Sequence, residues 1–79
     1  MALTAKEAAG KAIEYLNEFL IRAWNIQVEE VEMSENGNSW LITVGFELAT
    51  PTQIGERQYK TFEVDIASGS VKAMRIRQL

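Results

Sequence analysis

The sequence predicts a single α+β domain, one N-terminal helix packed on a four-stranded antiparallel meander in the order α-β-β-β-β. Three observations carry this: an apolar stripe at three- and four-residue steps over residues 8–23, an Asn36-Gly37 pair between two strand-like runs, and two more alternating runs around a Ser68-Gly69-Ser70 turn. The chain has 79 residues, room for one domain over 1–79. A domain of this size buries only about 60% of the surface its unfolded form exposes. Its core is therefore expected to be thin.

Thr4-Ala5-Lys6-Glu7 fits a capping box, in which a Thr hydroxyl and a Glu carboxylate satisfy orphan backbone donors at a helix start. Ala8, Ala9, Ala12, Ile13, Leu16, Phe19, Leu20 and Ala23 then recur on one side, with Lys6, Glu7, Lys11, Glu14, Glu18 and Arg22 largely opposite. This predicts about five turns, with Ile13, Leu16, Phe19 and Leu20 buried and Trp24 closing the stripe. Phe19→Ala is then expected to cost about 3 to 5 kcal/mol. Gly10, beside Ala9 and Ala12, points to a close approach to the sheet, at about 1 kcal/mol relative to Ala.

Asn36-Gly37 predicts a type I′ turn, since both of its central residues need positive φ. Counting outward sets Glu35 opposite Asn38, Met33 opposite Trp40 and Val31 opposite Ile42. Strict continuation would set Glu29 against Val44. If Glu29 and Glu30 together oppose Thr43, then Val28 meets Val44 and Ile26 meets Phe46, which predicts a β-bulge at Glu29 and Glu30.

The second strand, Trp40 to Leu48, sends Trp40, Ile42, Val44, Phe46 and Leu48 to one face and reads as central. A polar loop, Ala49 to Glu56, carries Pro51 and Gly55. The third strand, Gln58 to Ile66, sends Phe62, Val64 and Ile66 inward and Tyr59, Thr61, Glu63 and Asp65 outward. Gly69 is the expected left-handed residue of the next turn. The last strand, Val71 to Gln78, sends Met74 and Ile76 inward and Val71, Ala73, Arg75 and Arg77 outward.

Composition closes several function classes. With no Cys and no His, there is no Ser-His-Asp or Cys-His nucleophile system, no thiolate or imidazole metal site and no redox pair. Net charge is −3; residues 1–50 carry three Lys/Arg against eight Glu (−5), and residues 51–79 carry five against three acids (+2). Three cations near the C-terminus, Lys72, Arg75 and Arg77, fall short of a phosphate-tracking stripe, so no nucleic-acid partner is expected. No apolar run approaches the roughly 18 residues of a membrane span. The N-terminus lacks a basic then apolar leader, which reads as cytoplasmic, a mature secreted form being the alternative.

Candidate catalytic groups reduce to Glu63, Asp65, Tyr15 and Tyr59, expected in water with nothing to raise a carboxyl pKa toward neutrality. No enzyme and no cofactor are expected. Trp24 and Trp40 read as core rather than ligand platforms. Glu29, Glu30, Glu32 and Glu35 read as the solvated edge of a sheet rather than a cation site.

The helix-then-meander order, with Phe62-Glu63-Val64-Asp65-Ile66-Ala67-Ser68-Gly69-Ser70-Val71, resembles the PepSY domain, whose pattern is Tyr-x-Val-x-Val-Asp, a short turn, Thr/Ser-Gly and a Val-led last strand. That resemblance implies a cystatin-like, non-catalytic module that binds or inhibits peptidases, usually outside the cytoplasm. Trp40 opening a strand, the Pro51 loop, Phe62-Glu63-Val64-Asp65, a Gly turn and Arg75-Ile76-Arg77 also look like the gas vesicle protein O family. This second resemblance implies a small cytoplasmic accessory protein acting through protein contacts. Cystatins share the general shape, but their Gln-x-Val-x-Gly loop has no counterpart at Gln27-Val28-Glu29.

The expected function is a non-enzymatic protein-interaction module, accessory or regulatory. Two alternatives stand beside it: a small-ligand-binding domain with a groove between the helix and the Pro51 loop, and a bacterial or phage inhibitor. One helix covers one sheet face, so the outer face is the expected working surface, through Leu41, Tyr59, Thr61, Val71, Ala73, Arg75 and Arg77. A partner protein or a second copy, as a homodimer, would cover its apolar centre. The competing expectation is a solvated face tied by cross-strand pairs of the Glu63 to Arg75 kind.

Overall fold

The Thr4 hydroxyl accepts the Glu7 N–H at 3.1 Å, and the Glu7 carboxylate accepts the Thr4 N–H at 2.9 Å. The capping box thus starts helix α1 (Ala5–Phe19) where the sequence sets it. The computed structural model describes residues 2–48 and 57–78. Four strands follow the helix: β1 (Ala23–Met33), β2 (Ser39–Leu48), β3 (Arg57–Asp65) and β4 (Val71–Ile76). They form one antiparallel sheet in the order β1-β2-β3-β4, so β2 and β3 are central and β1 and β4 are edges. The predicted α-β-β-β-β meander is the observed fold. The expected Pro51 loop, Ala49 to Glu56, lies outside the described residues.

The helix has 15 residues, about four turns rather than five. Leu20 ends it, its N–H donating to Leu16 O at 2.7 Å, and the Ala23 N–H donates back to Leu20 O at 2.9 Å as the chain enters β1. Trp24 is therefore a strand residue, paired with Glu47 on the outer face and 50% exposed. The seat of the helix is a single ridge, Ala8, Ala12 and Leu16, spaced by four and fully buried. Beneath it lie Ile42, Val44 and Phe46 of β2 with Phe62 and Val64 of β3, all fully buried. Two alanines let the helix axis come close; Gly10 faces open space instead.

Phe19 corrects the expected core. It is 60% exposed, its ring 4.7 Å from that of Tyr15, which in turn meets Phe62 edge-on at 6.1 Å. With the ridge set on Ala8, Ala12 and Leu16, Phe19 falls to the flank, while Ile13 and Leu20 are half-buried.

Met33 pairs with Trp40, Val31 with Ile42 and Val28 with Val44, and the register slips between Val28 and Glu30, where Glu30 faces Thr43. The predicted bulge at Glu29 and Glu30 is present. A second slip separates Trp24 from Gln27, around Asn25 at φ 52°. The turn reaches the expected register by another route. Only Gly37 is left-handed, at φ 75°, so this is not a type I′ turn. Ser34 closes it, its carbonyl accepting the Gly37 N–H and its N–H donating to Ser39 O, both at 2.9 Å. The Asn36 side-chain oxygen accepts from the Ser34 hydroxyl and the Asn38 N–H.

Gly69 takes the expected left-handed conformation, at φ 76°. The Asp65 carboxylate accepts both the N–H and the hydroxyl of Ser68 at 2.8 Å, fixing that turn. Past it, Phe62 pairs with Met74 and Glu63 with Ala73, but Val64 pairs with Val71. Lys72 is thus the extra residue of a bulge. Val71 consequently turns to the helix side, packed against the core, and not to the outer face. Ile76 is on the helix side as expected, yet 79% exposed, beyond the helix's cover.

Candidate functional site

The outer face is built in cross-strand rows fixed by the register, Trp24-Glu47-Arg57, Gln27-Gly45-Tyr59, Glu30-Thr43-Thr61-Arg75 and Glu32-Leu41-Glu63-Ala73. Arg77, just past β4, joins the second row by donating its N–H to Tyr59 O at 2.9 Å. Six of the seven residues expected to form a working surface, Leu41, Tyr59, Thr61, Ala73, Arg75 and Arg77, belong to these rows. Val71 does not. Leu41, Tyr59, Thr61 and Ala73 are half-buried beneath longer side chains.

Ion pairs and hydroxyls supply that cover. Thr43, nearly fully buried, shares a 2.8 Å hydrogen bond with Thr61. The buried Ser39 hydroxyl donates to Glu63 at 3.1 Å and accepts from Lys72 at 3.2 Å. Glu63 also pairs with Lys72 at 3.4 Å and with Arg75 at 3.7 Å. The Ser39 hydrogen bond, then the Lys72 ammonium, holds the Glu63 carboxyl below its ordinary value of 4.5. Asp65 is likewise lowered, first by the Ser68 N–H and hydroxyl and then by Lys72.

Gly45 marks the middle of this face. A Cβ there would collide with the Glu29 carboxylate and come within 3.0 Å of Arg57 and of the Tyr59 ring. The missing side chain lets Glu29 and Arg57 lie flat across β2. Arg57 donates to Asn25 O at 2.9 Å and to Gln27 Oε1 at 3.3 Å, and pairs with Glu29 at 3.3 Å and Glu47 at 3.7 Å. Arg77 reaches Glu30 at 3.0 Å. The bulge at Glu29 sets two successive acids over this face, and sequence reasoning had the bulge without its consequence.

Among the described residues no group of three or more His, Cys, Asp or Glu is placed to hold a metal ion. No helix among them is long and apolar enough to cross a membrane. An open recess of about 520 Å³ lies at the end of β3 and β4, lined by Arg57, Tyr59, Lys60, Ile76 and Arg77 among others. Its two arginines are already engaged with Glu29, Glu47 and Glu30.

The apolar surface left bare lies elsewhere, on the helix side of β1. Val28 is 38% exposed, and Val31 and Met33 are each 43% exposed. Among the described residues no strand lies beyond β1. Comparison with protein-family models, with curated proteins and with solved structures returns no match.

Proposed function

We propose that the chain is a non-enzymatic protein-interaction module, and that its contact surface is the free edge and apolar flank of β1. The observation that carries this reading is the coincidence, on one edge strand, of exposed Val28, Val31 and Met33 with open backbone positions. Sheet edges of this kind take partners through main-chain hydrogen bonds, with alternate side chains setting specificity. The outer face supports the reading less well, because its charges already neutralise one another. The accessory or peptidase-binding role implied by the PepSY-like and gas vesicle protein O-like resemblances belongs to this same proposal.

The small-ligand alternative asks for a concave, mainly apolar pocket with a few convergent polar groups. The Pro51 side of the groove expected for it lies outside the described residues, and the recess beside Arg57 and Arg77 is rimmed by long polar side chains. The test is affinity capture with the folded chain and with Val31→Glu and Met33→Glu variants. A protein retained by the wild type and lost from both folded variants supports the reading. Retention that ignores both changes, or binding of only small molecules in a ligand screen, overturns it.

A further inference from the structure

The two edges of the sheet complement each other in face, charge and hydrogen-bond direction. On the outer face β1 presents Glu32 and β4 presents Arg75, while Glu30 and Arg77 are paired with each other within the chain at 3.0 Å. On the helix side β1 presents Val31 and Met33, and β4 presents Met74 and the exposed Ile76. Among the described residues Glu32 has no ion-pair partner, and the Arg75 side chain, 3.7 Å from Glu63, is 62% exposed.

Backbone direction follows from two hydrogen bonds. The Ser34 N–H donates into the β1–β2 pair, to Ser39 O. Direction alternates along a strand, so Glu32 also faces β2, and Val31 and Met33 turn their N–H and C=O to the open edge. The Arg77 N–H donates to Tyr59 O, so Arg75 faces β3 while Met74 and Ile76 turn outward. Residues with free backbone groups on one edge are thus those with apolar, helix-side side chains on both.

We infer that this chain associates with itself head to tail, β1 of one copy pairing with β4 of the next. The antiparallel register is Val31 to Ile76, Glu32 to Arg75 and Met33 to Met74. Because strand direction alternates across the sheet, the added copy continues the antiparallel ladder with its helix on the same side. Successive helices would then lie about 19 Å apart, four strand spacings, wider than a helix diameter of about 10–12 Å. A two-fold β1-to-β1 dimer would instead set Glu30 and Glu32 against their own images. Bulges at Glu29 and Lys72 confine regular pairing to about four residues on each side. Such an interface is well below the roughly 1,200 Å² of a stable complex, so association is weak, reversible and open-ended.

This inference rests on the interaction reading and names a second copy as the partner. Sedimentation velocity on the purified full chain tests it over a concentration series, at low and high salt. The expected result is a mean mass that rises with concentration past two copies, and less steeply in salt. Glu32→Arg and Arg75→Glu each weaken association about ten-fold, through loss of one attractive pair and gain of a repulsive one. An equimolar mixture of the two variants regains it, since each edge again meets its opposite. Val31→Pro, which removes an outward N–H and leaves the β2 ladder intact, abolishes association. A chain monomeric up to about 1 mM overturns the inference, as does a mass that stops at the dimer or a mixture that associates no better than its components. A heterologous partner lost on Val31→Glu would still support the interaction reading in those cases, so the two failures are separable.

Discussion

Ala8, Ala12 and Leu16 are fully buried while the larger Phe19 is 60% exposed. Leu16→Ala is therefore expected to cost about 2–5 kcal/mol, because the void opens between α1 and two central strands. Phe19→Ala loses mainly its stacking on Tyr15 and falls below about 1.5 kcal/mol. Urea denaturation of both variants checks the order; equal costs would return Phe19 to the core. Gly10 sits inside the helix, and a Cβ placed there would meet nothing within 4 Å. Gly10→Ala should then stabilise by about 0.5–1 kcal/mol, through helix propensity alone. A lower thermal midpoint for Gly10→Ala would mean that this position carries a contact.

At the scale of elements, strand pairing was legible where apolar residues had to meet across a bend, and illegible where either face would accept them. Leaving Glu29 and Glu30 to share Thr43 was the arrangement that returned Val28 to Val44, so the first bulge followed from the sequence. Val71, Ala73 and Met74 are all apolar and carry no such constraint. The slip at Lys72 was accordingly unreadable, and it moved Val71 from the expected working face to the core. The helix end was equally silent, since Ile21 to Trp24 contains no Gly or Pro and its residues suit a strand as well as a helix stripe. Of the candidate site, the outer rows and the Glu63 to Arg75 pair were legible. The Arg57 cluster was not, because it depends on Glu29 lying over Gly45, and the Lys72 pairs were not, because Lys72 is the extra residue of the unread bulge. Glu63, in the last of those rows, and Asp65, at the neighbouring turn, are expected to make stability sensitive to acid. Glu63 and Asp65 have folded-state pKa values below their ordinary 4.5 and 3.8. Their contribution is complete above those values and is lost as pH falls through the lower, folded ones. Denaturant midpoints are thus expected to fall on acidification from about pH 5 downward. Glu63→Gln and Asp65→Asn should each flatten that decline, and an unchanged acid limb in both would remove these carboxylates as its source.

Viewed whole, the molecule is a two-layer fold with one proper layer partner, and charged side chains stand in for the other. One helix covers the centre of a four-stranded sheet; on the far face the Glu29 carboxylate, the Arg57 guanidinium and the Tyr59 ring lie over Gly45, which is buried beneath them. Isolated surface pairs contribute little, about 0–1 kcal/mol, because water screens them and two flexible chains must be held still. Lys11 and Glu14, 4.0 Å apart and largely exposed, are of that kind. Arg57 differs in being only 24% exposed and in binding a backbone carbonyl, an amide and two carboxylates at once. Its removal would leave Glu29 and Glu47 without a counter-charge beside Asn25, at a backbone position already held at φ 52°. Arg57→Ala is expected to destabilise by about 1–3 kcal/mol, and Lys11→Ala by less than about 0.5 kcal/mol. The Arg57 effect should persist in high salt, since partly buried pairs are screened much less than exposed ones. Urea denaturation at two ionic strengths separates the cases. If Arg57→Ala proves as mild as Lys11→Ala, the charged layer contributes nothing to holding the sheet, and the four strands stand on the Ala8, Ala12 and Leu16 ridge alone.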